Sequence, residues 1–358
     1  AAITARSAHA AGVAAPLKTL RAWICFATSC VAQPIRMIVH ADAVPRDATP
    51  RTLIKGYIKP IDPARENISL HPPKKLCSNY SIELKKNTEG RIWICETQTA
   101  EDNDSTILYF YGSGLIQGPR KHHWKCIEDL LQRGVPRIVL VEAPLFPSHT
   151  ISSILDWCLE TTMEIVHDLV IKEKRLKMLG EGSGAWLAYN MLHNFEKEHL
   201  LKVDELILLC PWLDASLSNP WIDEVEVLDP INNRSEWTRL GEIWQSQIPS
   251  ALENETADGI LKNPTNPLAP IYMDLRKTPP TRVYTAEYDI FKADAVKLRQ
   301  KAASEPVIFN YYEYEKMIHC WYHYDLPESR VLLDQLAATL TQPMSEWEKT
   351  AELDGKFW

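Results

Sequence analysis

From about residue 80 onwards the chain alternates short apolar runs with stretches of helical periodicity, a rhythm that few architectures accommodate. Strand-like runs fall at 91–95, 106–111, 137–142, 176–179, 205–210, 281–284 and 307–312. Helical patterns at 122–133, 150–171, 185–197, 290–303 and 328–340 separate most of them. Parallel strands require crossover connections, and strands apolar on both faces require cover on both. The pattern therefore predicts an α/β fold, with a mostly parallel central sheet flanked by helices.

One stretch breaks the rhythm. Residues 217–263 carry Trp221, Trp237 and Trp244, and they show helical rather than strand periodicity. The expectation is a helical cap inserted into a core spanning 61–358, lying over the sheet edge where open α/β sheets bind ligands. Residues 1–60 are expected to form a second helical or cap segment, with Leu17, Leu20, Trp23, Ile24 and Ala27 at helical spacing.

A net charge of −8 argues against a nucleic-acid partner, which needs a basic face to displace phosphate counterions. The eight cysteines form no CxxC pair and no Cys/His metal spacing, so neither a metal nor another cofactor is expected. Those in apolar runs, such as Cys95 and Cys210, read as small buried hydrophobes in a reducing, cytoplasmic setting. No apolar run is long enough to make an integral membrane segment. A homodimer remains among the expected partners.

Glycine is scarce, and six of the thirteen fall in two windows: Gly112, Gly114 and Gly118, then Gly180, Gly182 and Gly184. The first follows a strand, as Tyr111-Gly112-Ser113-Gly114, and suits backbone amides turned inward to hold an oxyanion. A plain strand-to-loop turn is the alternative. The second window runs from strand to helix as Gly180-Glu181-Gly182-Ser183-Gly184. It satisfies G-x-G-x-x-A, the dinucleotide fingerprint, through Gly180, Gly182 and Ala185. It also satisfies the nucleophile elbow G-x-S-x-G, except that Gly182 stands where serine should. Chain order favours the elbow. A dinucleotide loop opens its domain, whereas this window follows several strands and precedes Asp289 and His319, the order elbow, acid, histidine.

On these residues the chain resembles the hormone-sensitive-lipase-like branch of the α/β-hydrolases, which includes many carboxylesterases. The family's His-Gly-Gly-Gly loop matches Tyr111–Gly114, and its elbow matches Gly180–Gly184. Its acid motif falls on Asp289, with Asp294 after it. Its Met-x-His-x-Trp/Phe ending falls on Met317, His319 and Trp321, and Asn266-Pro-Leu-Ala-Pro270 resembles the segment before the acid strand. The resemblance covers roughly residues 85–340.

The resemblance implies a catalytic His319 oriented by Asp289, and an oxyanion hole from the amides of Gly112, Ser113 and Ser183. It implies a pocket bordered by Tyr111, Gly114, Glu181 and Trp321. Gly182 marks the vacated nucleophile position. Ser183 begins the helix, so its hydroxyl should point away from His319. His323 is expected on the following loop. His122, His123, His149 and His167 are expected to be surface or packing residues.

The function expected is that of a hydrolase-like enzyme without its serine. His319 and the oxyanion hole would drive an elimination, isomerisation or cyclisation of a small hydrophobic carbonyl or ester-like ligand. A carboxylesterase carrying a serine-to-glycine exchange and a non-catalytic small-molecule receptor are the alternatives.

Overall fold

The computed structural model describes residues 71–86, 89–101, 105–171, 176–248, 266–342 and 355–357. The expected N-terminal segment and residues 249–263 of the expected cap lie outside them.

The described residues build a sheet in the order β1-β2-β4-β3-β5-β6-β7-β8-β9. Its strands are β1 (Ser81–Lys86), β2 (Arg91–Glu96), β3 (Thr106–Phe110), β4 (Arg137–Glu142), β5 (Leu176–Glu181), β6 (Val203–Leu209), β7 (Thr281–Tyr288), β8 (Phe309–Ile318) and β9 (Gly355–Phe357). Strand β2 runs antiparallel to both β1 and β4. The remaining pairs are parallel, as the strand–helix alternation requires. Every residue of the central strands β3 and β5 is buried.

Side-chain alternation along the strands feeds two separate cores. Leu108 and Phe110 of β3 join one core, which lies under α3 (Ile151–Ile171), α4 (Ser183–Asn194) and α8 (Lys292–Ala302). Ile107 and Tyr109 point the other way, into a core closed by α2 (Lys121–Gln132) and α9 (Pro327–Thr341). Short helices α1 (Lys74–Asn79) and α5 (Lys197–Leu200) sit before β1 and before β6. No helix among the described residues is long and apolar enough to cross a membrane.

The sequence pattern missed β1, whose exposed Lys and Glu positions dilute its apolar alternation, and it ended β8 six residues early. The second half of β8 is Glu313-Tyr-Glu-Lys-Met-Ile, charged on one side and paired with β7 on its edge. That extension delivers the residue after Ile318 to the end of β7.

The interrupted stretch contains α6 (Ile222–Glu226) and α7 (Arg234–Gln245). Helix α7 starts cleanly because the Asn233 side chain accepts from the amides of Ser235 and Glu236, a side-chain cap for the first turn. Trp237 and Leu240 of α7 lie against Gly114, where an added Cβ would stand 3.2 Å from Leu240 and 3.5 Å from Trp237.

Candidate active site

Strand register brings the two glycine windows together. Phe110 of β3 is paired with Gly180 of β5, so Gly112 and Gly182 emerge side by side two residues further on. At the other end of the site Tyr288 of β7 is paired with Ile318 of β8. The next residue of each strand is Asp289 and His319. The four sequence features thus converge on the C-terminal edge of the sheet, the place where open α/β sheets bind ligands.

His319 Nδ1 lies 2.8 Å from Asp289 Oδ2. Asp289 is fully buried, and its other oxygen accepts the Phe291 amide at 3.0 Å, which fixes the carboxylate's orientation. A second carboxylate, Asp229, secures this loop from the connection between α6 and α7. It accepts from the amides of Ile231 and Asn232 and, at 2.9 Å, from Ile290 next to Asp289. Burial, with the neighbouring Asp289 charge, pushes the Asp229 carboxyl up to about 6. Burial works against a charged His319, but Asp289 and Cys320 outweigh it and hold the imidazole well above its ordinary value. Asp289 and Cys320 thus favour the protonated form of His319.

Gly182 occupies the strand-to-helix corner with φ +52 and ψ −118. A Cβ built there would approach His319 Nε2 at 3.8 Å and Gly112 Cα at 3.8 Å, with nothing closer. Position 182 thus faces the imidazole nitrogen that Asp289 leaves available. Ser183 turns the other way: its hydroxyl accepts from the amides of Ser113 at 3.0 Å and Gly114 at 2.8 Å. The Gly112 amide donates to Glu181 Oε1 at 3.1 Å. Two of the three amides expected to hold an oxyanion are thus satisfied within the protein, and the third, Ser183 N–H, opens α4.

With this geometry in place, the relatives become informative. A model of the family described as the alpha/beta hydrolase fold matches residues 107–323, more than half of the chain. The chain belongs to this family. It is also similar to an esterase of Acinetobacter venetianus, 24% identical over 241 residues that make up 66% of this chain and 74% of the relative. Among solved structures it is similar to a hormone-sensitive lipase from a metagenome library, with a TM-score of 0.66 and 17% identity over 87% of this chain and 99% of that one. An esterase/lipase from an uncultured bacterium gives a TM-score of 0.64 at 17% identity, covering 88% and 98%. At such identities these structures speak for the fold.

Within this α/β-hydrolase, four residues expected to border a pocket have other surroundings. Trp321 is fully buried against Tyr314 and Tyr322 in the core beneath α9. Tyr111 is buried too, its hydroxyl donating to the Gln117 carbonyl. Gly114 faces α7. Glu181 is the centre of a buried polar hub: His123 Nε2 stands 3.0 Å from one carboxylate oxygen and His323 Nε2 3.0 Å from the other. These partners outweigh burial and hold Glu181 well below the usual carboxylate range.

His123 is a buried packing residue and His323 lies on the turn after β8, both as expected, but both also hold Glu181. His123 Nδ1 accepts the Arg120 amide, so its Nε2 carries the proton that Glu181 receives. The ring nitrogens of His122, His123 and His323 lie within 4.8 Å of one another, a spacing compatible with a metal ion. Glu181 already engages two of the three, which supports a polar core rather than a vacant ligand set. Asp294 is likewise structural, accepting from Asn219 at 3.0 Å.

The cysteines divide. Cys95, Cys126 and Cys158 are buried in apolar packing, as expected. Cys210 is buried in the core as well, as expected, and its sulfur also lies near His319 together with that of Cys320. Cys320 Sγ lies 3.1 Å from His319 Nε2, and the Cys320 amide donates to Cys210 Sγ at 3.5 Å. No spacing rule joins residues 110 positions apart, but Cys320 was readable as the residue that follows the histidine.

Proposed function

We propose that this α/β-hydrolase is an enzyme of esterase/lipase descent that acts without a serine acyl-enzyme, using His319 to move a proton on a small hydrophobic carbonyl or ester-like ligand. One observation carries the reading. Asp289 and His319 are in bonding contact at 2.8 Å, while position 182, which faces Nε2, has no side chain. Acid and imidazole remain, and the hydroxyl is absent.

Asp289 fixes the ring with Nδ1–H inward, so Nε2 is the atom that gives or takes the proton. Elimination, isomerisation and cyclisation all place charge on a carbonyl oxygen while a proton moves nearby. Ser183 N–H, and Gly112 and Ser113 N–H once released from Glu181 and Ser183, are the donors closest to where that oxygen would sit. Phe291 beside His319, with Trp237 of α7 packed behind it, gives the ligand an apolar wall.

The test is to restore the missing group. Gly182→Ser is expected to turn over p-nitrophenyl butyrate continuously, roughly 10²-fold or more above the parent, as serine and histidine come into bonding reach. Gly182→Ser combined with His319→Ala should lose that gain. A folded Gly182→Ser protein with no His319-dependent hydrolysis would refute the reading of this corner as a vacated elbow. A receptor reading has no specific support in the site, since it leaves the preserved Asp289–His319 contact without a task.

A further inference from the structure

Cys320 is held in a conformation that cysteine does not favour. Its φ is +51 and ψ +39, and Cys210 has φ +45. Left-handed backbone at a non-glycine residue costs free energy, and it is found where the surrounding structure imposes it for a purpose. Here the result is a placement. Asp289 Oδ2, His319 Nδ1, His319 Nε2 and Cys320 Sγ form one unbroken series, with contacts of 2.8 Å and 3.1 Å at its two ends. It is the order carboxylate, imidazole, nucleophile, with sulfur entering from the residue after the histidine instead of from the elbow.

On the other side of the same nitrogen, an added atom at Gly182 would meet only ordinary van der Waals contacts. Above Gly182 nothing lies closer than 3.8 Å to a would-be Cβ. At Gly180 and Gly184 the corresponding atoms would strike backbone at 2.6 Å and 2.1 Å. Of the three elbow glycines, Gly182 alone leaves room for an added atom beside Nε2, the nitrogen that also faces the sulfur.

We infer that Cys320 is the nucleophile of this site, its sulfur attacking the carbonyl carbon of an ester-type ligand seated over Gly182. The inference rests on the reading of Asp289 and His319 as the reacting pair, and it narrows their reaction to cyclisation by acyl transfer. In the first step the Sγ–C bond forms, the C–O bond of the ester breaks, and Nε2–H protonates the departing alkoxide. In the second step a hydroxyl on the ligand's own chain attacks the thioester carbonyl and returns its proton to Nε2. The C–S bond then breaks, releasing a lactone and restoring the thiolate. Ester and internal hydroxyl become lactone and alcohol, with no oxidant or reductant required. The ligand's own hydroxyl outcompetes water because the same chain holds it near the carbonyl.

The charges around the sulfur suit this role. Burial pushes the Cys320 thiol up, but the Cys210 thiol and the His319 charge and hydrogen bond bring it down to about 5. The groups facing it are His319, Cys210, the Tyr322 hydroxyl at 3.3 Å and, beyond Tyr322, Glu181, whose charge opposes the shift. A protonated imidazole beside the sulfur favours the thiolate, which is the reactive form.

The experiment uses the full chain, iodoacetamide and p-nitrophenyl butyrate, with peptide mass mapping to locate adducts. At about pH 6 iodoacetamide should label Cys320 roughly 10-fold faster than the exposed Cys77, and His319→Ala should abolish that advantage. p-Nitrophenyl butyrate, which has no internal acceptor, should release a single burst of nitrophenol and leave a butyryl group on Cys320. Cys320→Gly, whose backbone suits the left-handed conformation and so preserves folding, should show no burst. The inference is overturned if Cys320 stays unlabelled at that pH, if labelling ignores His319→Ala, or if it appears only after treatment with a chelator, which would make the thiol a metal ligand. If Gly182→Ser gains His319-dependent hydrolysis while Cys320 remains inert, the reading of the site stands and Cys320 alone falls.

Discussion

Three glycines in five residues look alike in the sequence, yet they are glycine for different reasons. A side chain at Gly184 would run into the Phe110 carbonyl at 2.1 Å, and one at Gly180 into Ala185 Cα at 2.6 Å. Gly184 is required because helix α4 packs directly against β3, and Gly180 because the first turn of α4 folds back over β5. Gly182 has room, and only its positive φ favours glycine there. Gly182→Ala should therefore fold with a loss of about 1–3 kcal/mol in urea unfolding, the cost of strained backbone. Gly184→Ala should fail to give a folded protein, as judged by its circular dichroism. Sequence reading placed the three at one strand-to-helix corner, where the structure has them, but it could not separate these cases, because steric need depends on what stands opposite. The same blindness hid Cys320: a residue next to a histidine has no fixed direction until the turn is built.

Loops and turns are joined at the level of elements by buried charges that no spacing rule announces. Glu181, at the end of β5, ties α2 through His123, the Trp321–His323 turn through His323, and the loop after β3 through the Gly112 amide. Its folded value lies well below 4.5, so its contribution to stability is present above about 4.5 and lost as the pH falls. Glu181 also raises His323 above 6.5 despite burial; that contribution is complete below about 6.5 and lost as the pH rises through the folded value. The melting temperature of the parent should exceed that of Glu181→Gln most between these two limits, and the gap should narrow on either side. Scanning calorimetry across pH checks the window. Helices and strands were legible because periodicity repeats along the chain. These cross-links were not, since each joins residues from three or four separate segments.

The whole molecule keeps its chemistry and its anchorage at opposite ends of the sheet. At the far edge from His319, Lys177 of β5 and Arg282 of β7 both contact Glu205 of β6, and all three are buried. Lys177 also donates to carbonyls at the end of α9, the favourable position for a cation. Glu205→Ala would leave two buried cations facing each other, with an expected loss of about 3–5 kcal/mol in chemical denaturation. Iodoacetamide labelling of Cys320 in the molecules that remain folded should be unchanged. The layered plan was legible from the strand–helix alternation, and strand register accounts for the convergence of the four motifs.

The rings of Trp212, Trp237 and Phe291 pass contact from one to the next until Phe291 meets His319, at centroid separations of 4.9, 5.3 and 5.2 Å. The protein therefore carries its own optical gauge. A ligand bound beside His319 meets Phe291, the ring that packs on Trp237, and the difference in emission between the parent and Trp237→Phe is expected to report it. Small carbonyl compounds can then be ranked by fluorescence titration alone, before any product has been identified.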